Sequence, residues 1–113
     1  MPSLPPFNSE PPRKPSRYRR MADEEVIDNR AQQRYELHLS DGTAFIDYTD
    51  RDKVRTLTHA EVPVPLRGGG IAGRLTGGAL DLARAEGLSV VPRCPYVATF
   101  IDRHPQYQDL LSN

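Results

Sequence analysis

The stretch 58–72, T-H-A-E-V-P-V-P-L-R-G-G-G-I-A, constrains the fold more than any other part of the chain. It reads as a β-strand, a turn of three glycines and the start of a helix. Pro63 and Pro65 end the strand because neither donates a ladder hydrogen bond. Gly68, Gly69 and Gly70 carry no Cβ, so the backbone there is free to take positive φ and a ligand can lie close against it. A helix beginning at Ile71 points its unsatisfied N–H groups and the positive end of its dipole into that loop. The arrangement is an anion cradle, and a phosphate fits it.

The rest of the pattern surrounds this stretch. The helix predicted over 71–86 places Ile71, Leu75, Ala79 and Leu82 on one stripe, widened by Ala72, Leu80 and Ala83, and Gly87 stops it. Gly77 and Gly78 inside it each cost about 1 kcal/mol relative to alanine, so the helix is either weak there or its backbone lies very close to the sheet. Ser89, Val90 and Val91 make a short strand expected to be buried on both faces. Strand 54–62, the helix and this strand form a β-α-β unit, which makes the two strands parallel. A helix over 96–103 and a turn over 106–111 follow.

Upstream, 24–29 reads as a short strand. Residues 34–39 alternate Tyr35, Leu37 and Leu39 against Arg34, Glu36 and His38, the period of a half-buried strand. Asp41-Gly42 is a hairpin signal, 43–48 the return strand and 49–53 a polar turn. In 54–62, Val54, Thr56, Thr58 and Ala60 oppose Arg55, Leu57, His59 and Glu61. The fold class is therefore α/β with a mixed sheet: an antiparallel meander that turns parallel at its last strand pair, with helices on the faces. Such a unit places its ligand at the carboxyl ends of the strands, beside the helix N-terminus.

Composition removes several alternatives. A chain of 113 residues holds one domain with a modest core. Residues 1–20 contain six of the eleven prolines and carry five basic side chains against one acid, so they read as a disordered basic tail. The domain is 21–113, and Met21 offers an alternative translation start. Because the whole chain is neutral, the domain is acidic, which argues against a nucleic-acid face. A nucleic-acid reading rests on the tail alone. The single cysteine, Cys94, forms no internal disulfide, and no apolar run suits a signal peptide or membrane span. A cytoplasmic location is the expectation, and the oligomeric state is not legible.

Arg67-Gly68-Gly69-Gly70-Ile71-Ala72 matches R-x-x-G-x-A, the pyrophosphate-binding signature of the GNAT superfamily of coenzyme-A-dependent N-acetyltransferases. With T-H-A-E-V-P before it and C-P-Y-V and R-H-P-Q-Y after it, the chain resembles a small, minimal branch of that superfamily. Gly69 stands where such proteins usually carry a basic residue, which removes a side-chain phosphate contact and leaves the backbone cradle. The resemblance implies a GNAT-like fold and acetyl-CoA as cofactor. Gly68, Gly69, Gly70, Ile71, Ala72 and Gly73 would then hold the pyrophosphate through main-chain N–H groups, with Arg67 closing one side. The pantetheine arm would pair with main chain near Val62 and Val64. The thioester would sit near His59, Glu61 and Cys94.

In direct acetyl transfer the amine must lose a proton and the departing thiolate needs a donor. His59 and Glu61 are candidate bases; the alternative is a histidine bonded to the chain and a surface acid. Cys94 is either a nucleophile at a helix start or a small buried hydrophobe. Tyr96 is either the proton donor to the thiolate that many members of the superfamily keep or a packed aromatic. His104 and Tyr107 either fix the C-terminal segment, the reading preferred here, or contact cofactor or substrate, and His38 lies outward. No metal-ligand spacing, G-x-S-x-G elbow or nucleotide P-loop ending occurs. Two functions follow: an N-acetyltransferase acting on an amine of a small molecule, peptide or protein, or a coenzyme A-binding module without catalysis.

Overall fold

The computed structural model describes residues 25–112, so the tail over 1–20 and Met21 lie outside the described residues. In chain order these form β1 (Ile27–Asn29), β2 (Arg34–Leu39), β3 (Gly42–Arg51), β4 (Val54–Glu61), α1 (Ile71–Ala85), β5 (Ser89–Pro92) and α2 (Pro95–Arg103). Short 3-10 turns occupy Val64–Leu66 and Pro105–Leu110. The strands form one sheet in the order β1-β2-β3-β4-β5. Pairing is antiparallel through β4, and β5 joins β4 in parallel, as the β-α-β reading expects.

Alternation sets the core. Tyr35, Leu37, Ala44, Ile46, Leu57 and Val90 are buried on one face of the sheet, where they meet Leu75, Ala79, Leu80 and Ala83 of α1 and Val97 and Ile101 of α2. Each such large aliphatic side chain contributes roughly 1.5–3 kcal/mol by leaving water. The two helices share this face. The opposite face is polar, with the cross-strand rows Glu36–Phe45–Glu61 and Arg34–Asp47–His59. Hence β5 is buried on one side only: Val90 is fully covered, and Ser89, Val91 and Pro92 are half-buried. Burial on both faces would need a second helical layer.

Two local features depart from simple alternation. β3 runs on to Arg51, and the link to β4 is a two-residue turn in which Asp52 and Lys53 take φ of 52° and 68°. Thr49 to Arg51 are polar but pair with Val54 to Thr56 through the main-chain ladder, so the expected turn over 49–53 is mostly strand. In β4, Tyr48 pairs with Leu57 and Asp47 with His59, leaving Thr58 as the extra residue of a β-bulge. Its hydroxyl donates to the Asp47 carbonyl at 3.2 Å. Since Asp47 and Tyr48 point to opposite faces, so do His59 and Leu57. The expected single row of Arg55, Leu57, His59 and Glu61 is thus broken at Thr58: Leu57 enters the core and His59 leaves it.

α1 runs unbroken through its glycines. A Cβ on Gly78 would meet Cγ2 of Val26 at 2.5 Å, and one on Gly77 would lie 3.7 Å from the Phe100 ring and the Tyr107 hydroxyl. The close neighbours are therefore the segment entering β1 and the C-terminal aromatics. Tyr107 donates to Asp81 at 2.9 Å, and His104 stacks on Phe100 with ring centroids 3.9 Å apart, which pins the C-terminal segment as expected.

Arg55 is a buried cation at the end of β4 remote from the glycine loop. Its guanidinium bonds both carboxylate oxygens of Asp50 at 2.6 and 2.7 Å, donates to the Tyr35 hydroxyl at 2.8 Å and lies 3.8 Å from the Tyr48 ring centroid. Burial pushes the Tyr48 phenol up in pKa, and its bond to Asp28 at 2.5 Å pushes in the same direction.

Candidate active site

The parallel β4–β5 ladder ends at Leu57 opposite Pro92, while β4 continues to Glu61. Two prolines cause the divergence. Pro92 has no N–H for a further rung, and Pro95 starts α2 after Cys94 has donated its own N–H to the Leu57 carbonyl at 3.0 Å. Beyond that point β5 no longer covers the edge of β4.

A cleft of about 620 Å³ opens there. One wall is the end of β4, from His59 to Val62. The other is the glycine loop and the first turns of α1, with Tyr96 of α2 at the side. The loop has the form that the sequence implies: Gly68 takes φ of 89° and Gly70 φ of 77°. Nothing lies within 4 Å of a Cβ at either position, so it is the left-handed backbone and not crowding that calls for glycine. Gly70 is the N-cap of α1 and there is no acid in the helix's first turn, so the exposed N–H groups present a positive end to the loop.

Arg67, Gly68, Gly70, Ile71, Ala72 and Gly73 all line this cleft, as do Val62, His59, Glu61 and Tyr96. Gly69 is exposed but does not line it. Val64 is 69% exposed within the 3-10 turn, outside the lining, and its carbonyl already accepts the Arg67 N–H at 3.2 Å. Cys94 is also outside the lining: it is the N-cap residue of α2, 6% exposed and packed in the core. Sequence reasoning missed Ala60, Leu75 and Thr76 as wall residues. Helical spacing was the available signal, since Leu75 and Thr76 stand one turn beyond Ile71 and Ala72. Thr76 donates its hydroxyl to the Ala72 carbonyl at 2.8 Å.

His59 and Glu61 share a face of β4, and Nε2 of the imidazole lies 3.1 Å from Oε1 of the carboxylate. Both side chains are more than half exposed and stand on the sheet face that, among the described residues, no helix covers. Phe45 packs beside His59, with ring centroids 6.2 Å apart. Tyr96 is 42% exposed, and its hydroxyl lies 4.0 Å from where a Cβ on Gly73 would stand. A histidine–carboxylate pair and a tyrosine thus border the same cleft as the N-terminus of α1.

Among the described residues no group of three or more His, Cys, Asp or Glu could hold a metal ion, and no helix is long and apolar enough to cross a membrane. In fold, the chain is similar to a GCN5-like protein from Staphylococcus aureus whose structure was determined by NMR. The TM-score is 0.62 at 20% sequence identity, over 82% of this chain and 92% of that one. A family model described as GCN5-related N-acetyl-transferase matches residues 34–110, from β2 through the last 3-10 turn. The chain therefore belongs to the GCN5-related N-acetyltransferase family.

Proposed function

We infer that the protein transfers an acetyl group from acetyl-CoA to an amine, with the cleft between β4 and α1 as its active site. The observation that carries this reading is the end of the β4–β5 ladder at Leu57, which frees the edge of β4 directly opposite the glycine loop. An elongated ligand with an anionic end fits such a cleft: main-chain groups at the strand edge suit an amide-bearing arm, and the N-terminus of α1 suits a diphosphate. Acetyl-CoA supplies the activated acyl group.

The chain's own residues supply the proton chemistry. Glu61 accepts a hydrogen bond from Nε2–H of His59, which fixes the tautomer and leaves Nδ1 as the lone pair able to take a proton from the attacking amine. Tyr96 lines the cleft, which supports it as the hydroxyl that donates to the leaving sulfur. Direct transfer is favoured over a covalent acyl-enzyme because Cys94 is buried and outside the cleft wall. The acceptor approaches over the sheet face that the described residues leave open, so the amine of a small molecule, a peptide or a protein could reach His59.

Turnover of acetyl-CoA against a broad amine panel tests the reading. Thiol release that depends on an amine and is lost in H59A supports it. Saturable coenzyme A binding with no turnover on any amine would leave a binding module instead.

A further inference from the structure

The chain enters the sheet at its cleft end. β1 runs antiparallel to β2, β2 to β3 and β3 to β4, so β1 runs opposite to β4 and starts where β4 reaches the cleft. Val26, lying against Gly78 of α1, fixes that point of entry. Ile27 heads a cross-strand row with Glu36, Phe45 and Glu61, on the face that no helix covers among the described residues; His59 stands in the next row with Arg34 and Asp47. Three strand spacings of about 4.8 Å separate Ile27 from Glu61, about 14 Å in all. The two rows hold three carboxylates, Glu36, Asp47 and Glu61, against the one guanidinium of Arg34, which is already paired with Glu36 at 2.8 Å.

The sequence that leads into β1 has the opposite charge. Residues 13–20, R-K-P-S-R-Y-R-R, contain five basic side chains and no acid, whereas the twelve before them contain one acid and no basic side chain. Lys14 is one of two lysines in the chain. It stands eleven positions from Glu25, a separation that spans up to about 36 Å when extended, ample for crossing the face. The other lysine, Lys53, sits in the turn at the far end of β4, six positions from His59 and about 20 Å away along the strand.

We propose that the basic run 13–20 docks on this open face and that Lys14 is acetylated there by the active site of the same molecule. The proposal rests on the acetyl-CoA reading of the cleft. Covalent connection presents Lys14 to the cleft at an effective concentration on the order of millimolar, so exposed ion pairs, each weak, are enough to seat it. The ammonium of Lys14 gives up two protons, of which one reaches solvent by way of His59 and one ends on the departing thiolate. The nitrogen lone pair forms the amide C–N bond as the thioester C–S bond breaks. The products are acetyl-lysine, the coenzyme A thiol and one proton. Acetylation removes the charge of Lys14, so the run holds the face less tightly and the cleft opens to another acceptor.

Acetyl-CoA added to the full chain with no other amine tests this, read by intact mass and peptide mapping. Acetylation of Lys14 is expected with a first-order rate constant that stays the same over an about hundredfold range of protein concentration, as an intramolecular step requires. Lys53 serves as the internal measure of chemical acetylation and is expected to react at least about tenfold more slowly. H59A is expected to slow modification of Lys14 by about a hundredfold. Docking has its own readout without acetyl-CoA: changing the four arginines of the run together (R13Q, R17Q, R19Q and R20Q) is expected to shift the amide NMR resonances of Asp47, His59 and Glu61 and to leave those of the buried Leu80 and Val97 in place. The same variant should acetylate Lys14 about tenfold more slowly, the effect of several exposed ion pairs lost at once. Lys14 left unmodified, modified no faster than Lys53, passed over for the N-terminal amine, or modified with a rate constant that rises with protein concentration overturns the proposal, as do unshifted Asp47 and Glu61 resonances. None of those results touches transfer to an added amine. Failure of the unaltered chain to bind coenzyme A in a calorimetric titration overturns the cofactor reading itself.

Discussion

Nε2 of His59 lies 3.1 Å from Oε1 of Glu61, two residues on along β4, and the bulge at Thr58 puts the pair on the open face of the sheet. Were Thr58 paired in regular alternation and not bulged, His59 would follow Leu57 into the core. The chemistry of this end of the strand therefore depends on one inserted position, and its consequences are measurable.

H59A is expected to lower kcat by about a hundredfold or more, in the range of a lost general base. KM for acetyl-CoA should stay within about threefold if the imidazole acts on the amine and not on cofactor binding. E61Q, which keeps the shape but weakens the orienting acceptor, is expected to cost less, about tenfold. Steady-state kinetics with saturating amine separates these effects. A variant H59A that retains full kcat would remove the imidazole from the mechanism.

Gly70 is required for its backbone. At φ of 77° an alanine has room for its methyl group but pays the left-handed penalty, about 1–2 kcal/mol of stability. Relaxation of that φ would also turn N–H groups away from the loop. G70A is expected to lose that stability in urea unfolding and to raise KM for acetyl-CoA by about tenfold or more, the effect of a lost bond to an anion.

Much of this site was legible in the sequence, because strand-terminating prolines, a glycine run and a helical stripe each have a local physical meaning. The hairpin at Asp41-Gly42, the parallel return and the limits of α1 within a residue all follow from such signals. What was not legible depends on tertiary partners. Nothing in T-L-T-H-A marks Thr58 as a bulge; its extra place becomes visible only against Asp47 and Tyr48 of the neighbouring strand. Cys94 next to Pro95 looks like a reactive helix start, whereas the core that covers it is assembled from distant segments. Nor does any local pattern tell that Arg55 is enclosed by Asp50, Asp28 and two tyrosines from other strands.

That enclosed cation yields a stability test. R55A leaves Asp50, Asp28 and Tyr35 without their shared partner, and breaking a buried ion pair in this way costs roughly 3–5 kcal/mol. The network lies away from the cleft. At temperatures where the variant remains folded, its KM for acetyl-CoA should match that of the unaltered chain, as paired melting and kinetic measurements can show.

Glu36 gives the pH dependence. Burial pushes its carboxyl up, but hydrogen bonds from Arg34, Asn29 and His38 together outweigh burial and hold the pKa below the ordinary 4.5. A folded-state pKa below the unfolded one adds stability that is fully present above the unfolded pKa and is lost as pH falls through the folded one. Acid unfolding of the unaltered chain should therefore steepen below about pH 4.5, and E36Q should flatten that limb. A limb of equal slope in E36Q would contradict the assignment.

C94A is expected to retain kcat within about threefold and to lose about 1 kcal/mol or more of stability, as a small buried side chain does. Intact mass spectrometry after mixing with acetyl-CoA should show no thioester-linked acetyl group. A tenfold or larger fall in kcat, or an acetyl adduct on Cys94, would replace direct transfer with a covalent route.

The most direct test of the whole account is a calorimetric titration of coenzyme A into the full chain at low and at moderate salt. A diphosphate held by a helix N-terminus and an arginine predicts one saturable site whose affinity falls as salt rises. Absence of binding at millimolar coenzyme A at either salt concentration would contradict the assignment of the cleft between β4 and α1.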